Sequence, residues 1–256
     1  IPALAERART DVVPAFVARD VAAGDGAHAL RDATFEVRGG EIVGIAGVEG
    51  NGQTALADAI AGVLPYRGTM SLNGRALETL GAGARIGAGV RSIPQDRQRE
   101  ALVLDWSIAE NVALGDHDRA PLRRGIAIDR RAENALATRI VERFDVRAPS
   151  IRTRAGALSG GNQQKVVVGR TLSGAPVFVV AFQPTRGIDV GATALVQSRL
   201  IEARNAGVAV LLVSFELDEV LALADRILVM YRGSIAGSFE RGAFDRARIG
   251  ALMAGA

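Results

Sequence analysis

Three short segments carry residue types at spacings that could do chemistry. In the first, Gly47-Val48-Glu49-Gly50-Asn51-Gly52-Gln53-Thr54, the glycines fall at the spacing of a loop that cradles phosphate. Such a loop needs G-x-x-x-x-G-K-[ST] between a strand and a helix. Its glycines let backbone N–H groups approach the anion, the helix N-terminus adds positive potential, and the lysine reaches the terminal phosphates. Gly47, Gly50, Gly52 and Thr54 are in register, but Gln53 stands at the lysine position. The second segment, Leu158–Gln164 (LSGGNQQ), predicts a helix starting at Gly160 and capped by Ser159, with N–H groups left free to hold an anion. In the third, Val177–Gly191, a buried strand ends at Phe182-Gln183 and a turn containing Pro184 leads to Asp189. Taken singly, the first segment also reads as a tight strand-to-helix turn and the second as an ordinary Ser-Gly-Gly cap.

The elements around these segments alternate. Ala15–Val21, Asp32–Val37 and Glu41–Ala46 read as strands, the last two joined through Gly39-Gly40. An apolar helix pattern runs from the glycine loop to about Gly62, and short strands flank Asn73-Gly74 ahead of a Gly/Ala-rich stretch, Gly81–Gly89. Residues from about 100 to 157 look helical and polar, with Ile128–Phe144 amphipathic. Val177–Phe182 and Val208–Val213 are buried strands, a helix spans about Gly191 to Asn205, and a short helix lies near Glu216–Leu223. Arg226–Tyr231 and Ser234–Phe239 are the last strands. Continuous apolar strands alternating with helices predict a mainly parallel sheet covered on both faces.

Composition narrows the class. The 256 residues are 48% hydrophobic and 23% charged with no cysteine, which excludes disordered, collagenous and disulfide-scaffold chains and any thiolate metal site. The net charge is only +3, and all but one of the 31 basic residues are arginine, the exception being Lys165. No apolar run approaches the length of a membrane span. Residues 1–13 are charged and aperiodic and read as a linker; the opening Ile1 suggests a piece of something longer.

In order and spacing, the three segments together resemble the Walker A loop, signature motif, Walker B strand and D-loop of an ATP-binding cassette (ABC) ATPase. Gln95, in RSIPQDR, falls at that family's Q-loop, and Ser214-Phe215 at its switch histidine. The resemblance covers about 14–240. The forms GVEGNGQT, PQDR, LSGGNQQK and QPTRGIDVGA look like the second cassette of two-cassette importers of simple sugars and nucleosides. It implies an α/β cassette over 14–256 with a mainly parallel core sheet, an antiparallel β subdomain and a helical subdomain at about 96–157. It also implies a place on the cytoplasmic face of the membrane. The expected partners are transmembrane permease subunits, met through Ala101–Leu114 with Trp106, and a second cassette, the N-terminal half of the same polypeptide. Nucleic acid is not expected at this net charge.

The departures from the family pattern are as informative. Gln53 replaces the Walker A lysine, Phe182 the magnesium-holding aspartate, Gln183 the catalytic glutamate and Phe215 the switch histidine; no aromatic residue lies around Ala22–His28 to stack adenine. A unit charge about 4 Å from phosphate is worth roughly 4 kcal/mol at an effective dielectric near 20. A neutral amide returns only about 0.5–1.5 kcal/mol net. The expectation is therefore no catalytic residue and no metal ligand in this chain. Its own site (Gly47, Glu49, Gly50, Asn51, Gly52, Gln53, Thr54 and Gln95) would hold ATP or ADP, with Mg2+ weakly bound or absent. By the resemblance, Ser159, Gly160, Gly161 and Gln163 would act in trans on the partner's nucleotide, with Asp189 in the D-loop. Two other readings stay open: a soluble ABC protein acting on ribosomes or nucleic acid, and a structural module that binds no nucleotide.

Overall fold

A computed structural model describes residues 13–256. The predicted linker at 1–13 lies, apart from Val13, outside the described residues. In chain order come β1 (Pro14–Ala23), β2 (Leu30–Arg38), β3 (Ile42–Ala46), α1 (Gln53–Ala61), β4 (Tyr66–Leu72), β5 (Arg75–Ala76), α2 (Ala82–Ala88) and β6 (Val90–Ile93). Then follow α3 (Ile108–Ala113), β7 (Arg123–Arg124), β8 (Ala127–Ile128), α4 (Arg130–Arg143), α5 (Gly160–Ser173) and β9 (Phe178–Phe182). The rest are α6 (Val190–Asn205), β10 (Ala209–Val213), α7 (Leu217–Leu223), β11 (Arg226–Tyr231), β12 (Ser234–Glu240) and α8 (Arg246–Ala254).

These elements form two compact units. The larger takes the described residues up to Ser92 with Val177–Gln183 and Leu200–Ala256; the smaller takes Ile93–Pro176 with Pro184–Arg199. The larger unit is built on a ten-stranded sheet in the order β5-β4-β1-β2-β12-β11-β3-β10-β9-β6. At one side, β5, β4, β1 and β2 pair antiparallel. In the middle, β11, β3, β10 and β9 run parallel. Every residue of β3, β9 and β10 is buried, as expected of strands covered on both faces. The core is sealed by the Phe16 and Phe178 rings, stacked 4.3 Å apart, and α7 lies so close on β3 that a methyl group at Gly44 would come within 2.6 Å of Val220 Cγ1.

In the smaller unit, α3, α4 and α5 pack on one another. Gly169 permits the closest approach, since a Cβ there would lie 2.5 Å from Ile140 Cγ2. A capping box of Ser107 and Glu110 starts α3, and the buried Asn111 side chain donates to the carbonyls of Val103 and Trp106 and accepts from Val103 N, fixing the loop before the helix.

Three local expectations change. The block 100–157 is helical only in part: a long connection carrying the two-residue ribbon β7–β8 separates α3 from α4. The Gly/Ala-rich stretch holds α2, anchored by the buried Arg85, whose guanidinium donates to the carbonyls of Ala59, Ile60, Leu77 and Leu80. A final helix, α8, follows the last strand.

Candidate functional site

The parallel register sets the first site. Val213 at the end of β10 lies beside Ile45 of β3 on one side and Phe182 of β9 on the other. The glycine loop after Ala46, the pair Phe182-Gln183 and Ser214-Phe215 therefore leave the same carboxyl edge of the sheet, where open α/β sheets place their ligands. Sterics dictate the loop's glycines. A Cβ at buried Gly47 would lie 2.7 Å from the Met230 carbonyl oxygen; Gly50 and Gly52 have φ of +90° and +98°. Gly52 caps α1 with no side-chain hydrogen bond, so the first amides of the helix face the loop without a side-chain acceptor.

The side chains of this loop serve the loop itself. Gln53 is buried at 1% exposure and its Nε2 donates to the Val48 carbonyl, which also accepts from Asn51 Nδ2. Gln53 Oε1 is enclosed without a partner. Asn51 Oδ1 accepts from Arg232 N, and His28 Nδ1 meets the Gly50 carbonyl oxygen at 3.0 Å. Glu49 and Thr54 are exposed. One turn into α1, burial raises the Asp58 carboxyl above its ordinary range. At the neighbouring strand ends, the Phe182 and Phe215 rings meet edge to face at 6.0 Å. Gln183, at φ +50°, donates its backbone N–H to the Val213 carbonyl, while its buried Nε2 has no acceptor.

The second site lies in the smaller unit, at the start of α5. Ser159 is exposed and accepts from Asn162 N, capping a 14-residue helix. Gly161 is buried, and a Cβ there would lie 2.9 Å from Asp189 Oδ2 and 3.2 Å from Ala192 Cβ. Asp189 in turn accepts from Ala192 N at 2.9 Å; that bond, with further backbone amides, holds its carboxyl below the usual range. Lys165, the lone lysine, donates to the Asp145 carbonyl and to its carboxylate at 3.0 Å, and this bond lowers the Asp145 carboxyl. A cavity of about 510 Å³ opens here, its lining including Ser159, Gly161, Asn162, Lys165 and Asp189.

The structure thus places Gly47–Thr54, Phe182, Gln183 and Phe215 in the larger unit, and Ser159, Gly160, Gly161, Asp189 and half-buried Gln95 in the smaller. Gln163 does not face outward with the serine and glycines. At 2% exposure, its Nε2 donates to the Ala155 carbonyl and its Oε1 accepts from Gln98, so both ends of the amide are spent inside the unit. The polar side chain beside Ser159 is Asn162, whose Oδ1 accepts from Arg147 N. Residue type cannot separate the two; the rotation of α5 turns Gln163, one position further round, toward the interior. Sequence reasoning also missed His28 against the loop, and Arg97. Among the described residues, no helix is long and apolar enough to cross a membrane.

The profile of the ABC transporter family matches residues 30–186. The guanosine import ATP-binding protein NupO of Bacillus subtilis (strain 168) is 43% identical over 231 residues, which cover 90% of this chain and 45% of that protein. The glucose import ATP-binding protein TsgD13 of Haloferax volcanii is 41% identical over 247 residues, 94% of this chain and 45% of that protein. The chain thus spans less than half the length of the curated relatives it matches. Among solved structures, the dimeric ATP-binding cassette MJ0796 in a post-hydrolysis state with ADP and Pi superposes with a TM-score of 0.75 at 18% identity, over 88% of this chain and 98% of that one. The chain has the fold of an ATP-binding cassette and belongs to the ABC transporter family.

Proposed function

We propose that this chain is the second, C-terminal cassette of a two-cassette ATPase that drives import of a simple sugar or nucleoside. In this reading it has a degenerate nucleotide site of its own and an intact signature that completes a partner's site. The observation that carries it is the contrast at the two helix starts. Ser159 stands open to solvent with half-buried Gly160 beside it at the head of α5, whereas the positions that should bear charge around the Walker A loop hold a buried amide and an edge-to-face phenyl pair. The names of the relatives, guanosine and glucose import ATP-binding proteins, support the cargo class.

The backbone cradle of Gly47–Thr54 suits a nucleotide's phosphates, because its amides do not depend on the side chain at Gln53. Magnesium is another matter. It asks for hard oxygen ligands in near-octahedral array. Where the resemblance puts its aspartate and the water-polarising glutamate stand the Phe182 ring and Gln183, whose enclosed free atom is an N–H donor. The residues present do not fit the ion. The chain's part in the reaction is to present Ser159, Gly160, Gly161 and Asn162 to the γ-phosphate bound by the partner, with Gln163 holding them from behind. Two features support a docking face for permease subunits on the cytoplasmic side of the membrane: partly exposed Val103, Leu104 and Trp106, and the Asn111-braced loop that carries them.

Turnover measurements test the reading. The purified chain should show no Mg-ATP hydrolysis above background. Joined to a cassette with an intact lysine-bearing loop, the pair should hydrolyse ATP, and Ser159→Arg in this chain should abolish that turnover. Robust hydrolysis by this chain alone would overturn the proposal.

A further inference from the structure

Arg97 lies two residues beyond Gln95, in the turn that Asp96 starts by accepting from Gln98 N and Arg99 N. Its guanidinium reaches across to two other segments of the smaller unit. Nη1 donates to the Arg186 carbonyl at 3.0 Å, Nη2 lies 3.5 Å from the Gly187 carbonyl oxygen, and a methyl group at Gly160 would come within 2.6 Å of Nη2. The end of the arginine side chain thus lies close against Gly160, where any added side chain would have to push it aside. Two amides flank this contact: Gln98 Nε2 donates to Gln163 Oε1 at 2.9 Å, and Gln164 Nε2 to the Pro184 carbonyl at 2.6 Å.

The placement is electrostatically awkward. A cation at the start of α5 meets the positive end of a 14-residue helix. Burial also pulls the Arg97 pKa down, and its Nε is enclosed without an acceptor. A fork of two N–H groups that bridges successive carbonyls is something lysine cannot reproduce. An anion arriving at the head of α5 would offset the unfavourable charge, so the contact should tighten when phosphate is bound there.

We infer that Arg97 is a positioning residue, clamping Gly160 of the signature to the Arg186-Gly187 turn before Asp189 so that signature and D-loop meet the partner's nucleotide as one rigid piece. This rests on the reading of the α5 start as a signature acting in trans, and the test separates the two.

In the assembly of this chain with an intact partner cassette, Arg97→Ala should lower kcat/KM for ATP at the partner's site about tenfold or more, since small misplacements of binding groups carry costs of that order. Millimolar methylguanidinium should restore part of the loss, as it would not for a merely destabilised protein. Arg97→Lys should lose severalfold and gain nothing from methylguanidinium. Kinetics of Arg97→Ala within twofold of the parent, or a loss that methylguanidinium leaves unchanged, would overturn the inference. If the alanine variant does not fold, Arg97→Lys carries the test, and parental kinetics there overturn it. Unchanged turnover in Ser159→Arg would instead remove the trans reading itself, and the role of Arg97 with it.

Discussion

The two helix starts, α1 behind Gly47–Thr54 and α5 behind Ser159, are built alike and used differently. Both have glycines with another group close by: a backbone carbonyl, that of Met230, against Gly47, and the movable end of the Arg97 side chain against Gly160. At α1 the side chains turn back on their own loop, with Gln53 and Asn51 sharing the Val48 carbonyl. At α5 the amides of Gln163 and Gln164 brace the helix from behind and leave Ser159 and Asn162 at its head. A glycine that a backbone carbonyl requires, as at Gly47, is needed whether or not charged side chains stand nearby. A well-formed phosphate cradle is therefore weak testimony for hydrolysis, which depends on the charged groups around it.

The largest expected effect probes the aromatic plug. Phe182 is 3% exposed and closes against Phe215, so Phe182→Ala removes a buried ring and leaves a cavity. The cost should be about 3–5 kcal/mol in urea unfolding. A loss below about 1 kcal/mol would mean that the pair contributes no packing, and the contrast with α5 would lose its structural basis. Next comes Gln53→Lys. Restoring the cation next to phosphate is worth up to roughly 4 kcal/mol before desolvation is subtracted. ADP affinity, read from nucleotide-dependent shifts in Tm, should rise about tenfold to a hundredfold, while hydrolysis stays absent because Phe182 and Gln183 are unchanged. Hydrolysis in this single variant would break the comparison.

Much of this arrangement was legible in the chain, for reasons that differ by residue. The strand, glycine loop and helix around Gly47–Thr54 follow from local sterics and apolar periodicity, as do the buried runs that became β9 and β10. The edge-to-face pair Phe182–Phe215 could be anticipated because both residues fall at strand ends. What sequence could not give was direction. Whether Gln163 or Asn162 faces outward depends on the rotation of α5 against Ala155 and Gln98. The helix α2 has no apolar stripe to announce it, and is held by one arginine reaching the carbonyls of four other residues. The block 100–157 looked uniformly helical because its polar composition says nothing of where a chain turns; the hairpin at 123–128 is closed by the carbonyl of buried Leu122, which accepts from Asp129 N.

A smaller effect sharpens the α5 side. Gln163→Leu removes one of two hydrogen bonds to the Ala155 carbonyl, which still accepts from Leu158 N, and leaves Gln98 to water, since Gln98 is exposed. Stability should fall by about 1 kcal/mol, the net worth of an ordinary hydrogen bond. Asn162→Ala should leave stability nearly unchanged and instead weaken turnover at the partner's site. Equal effects of the two variants on both readouts would erase the distinction between the inward and outward amides.

The smallest effect concerns the one lysine. Lys165 Nζ donates to the exposed Asp145 carboxylate, and that hydrogen bond, reinforced by the charge, sets the carboxyl below its ordinary pKa. A carboxyl whose pKa is depressed in the folded state contributes stability that is fully present above its unfolded value, about 3.9, and disappears as pH falls through the lower folded value. Lys165→Met should therefore narrow its stability gap to the parent as pH drops from 6 toward 2.5, with the gap staying small throughout because Asp145 faces solvent. The variant should bind nucleotide at Gly47–Thr54 as the parent does. A loss of nucleotide binding there would mean that this lysine serves the loop that lacks one, and the division between a neutral α1 start and a braced α5 start would have to be redrawn.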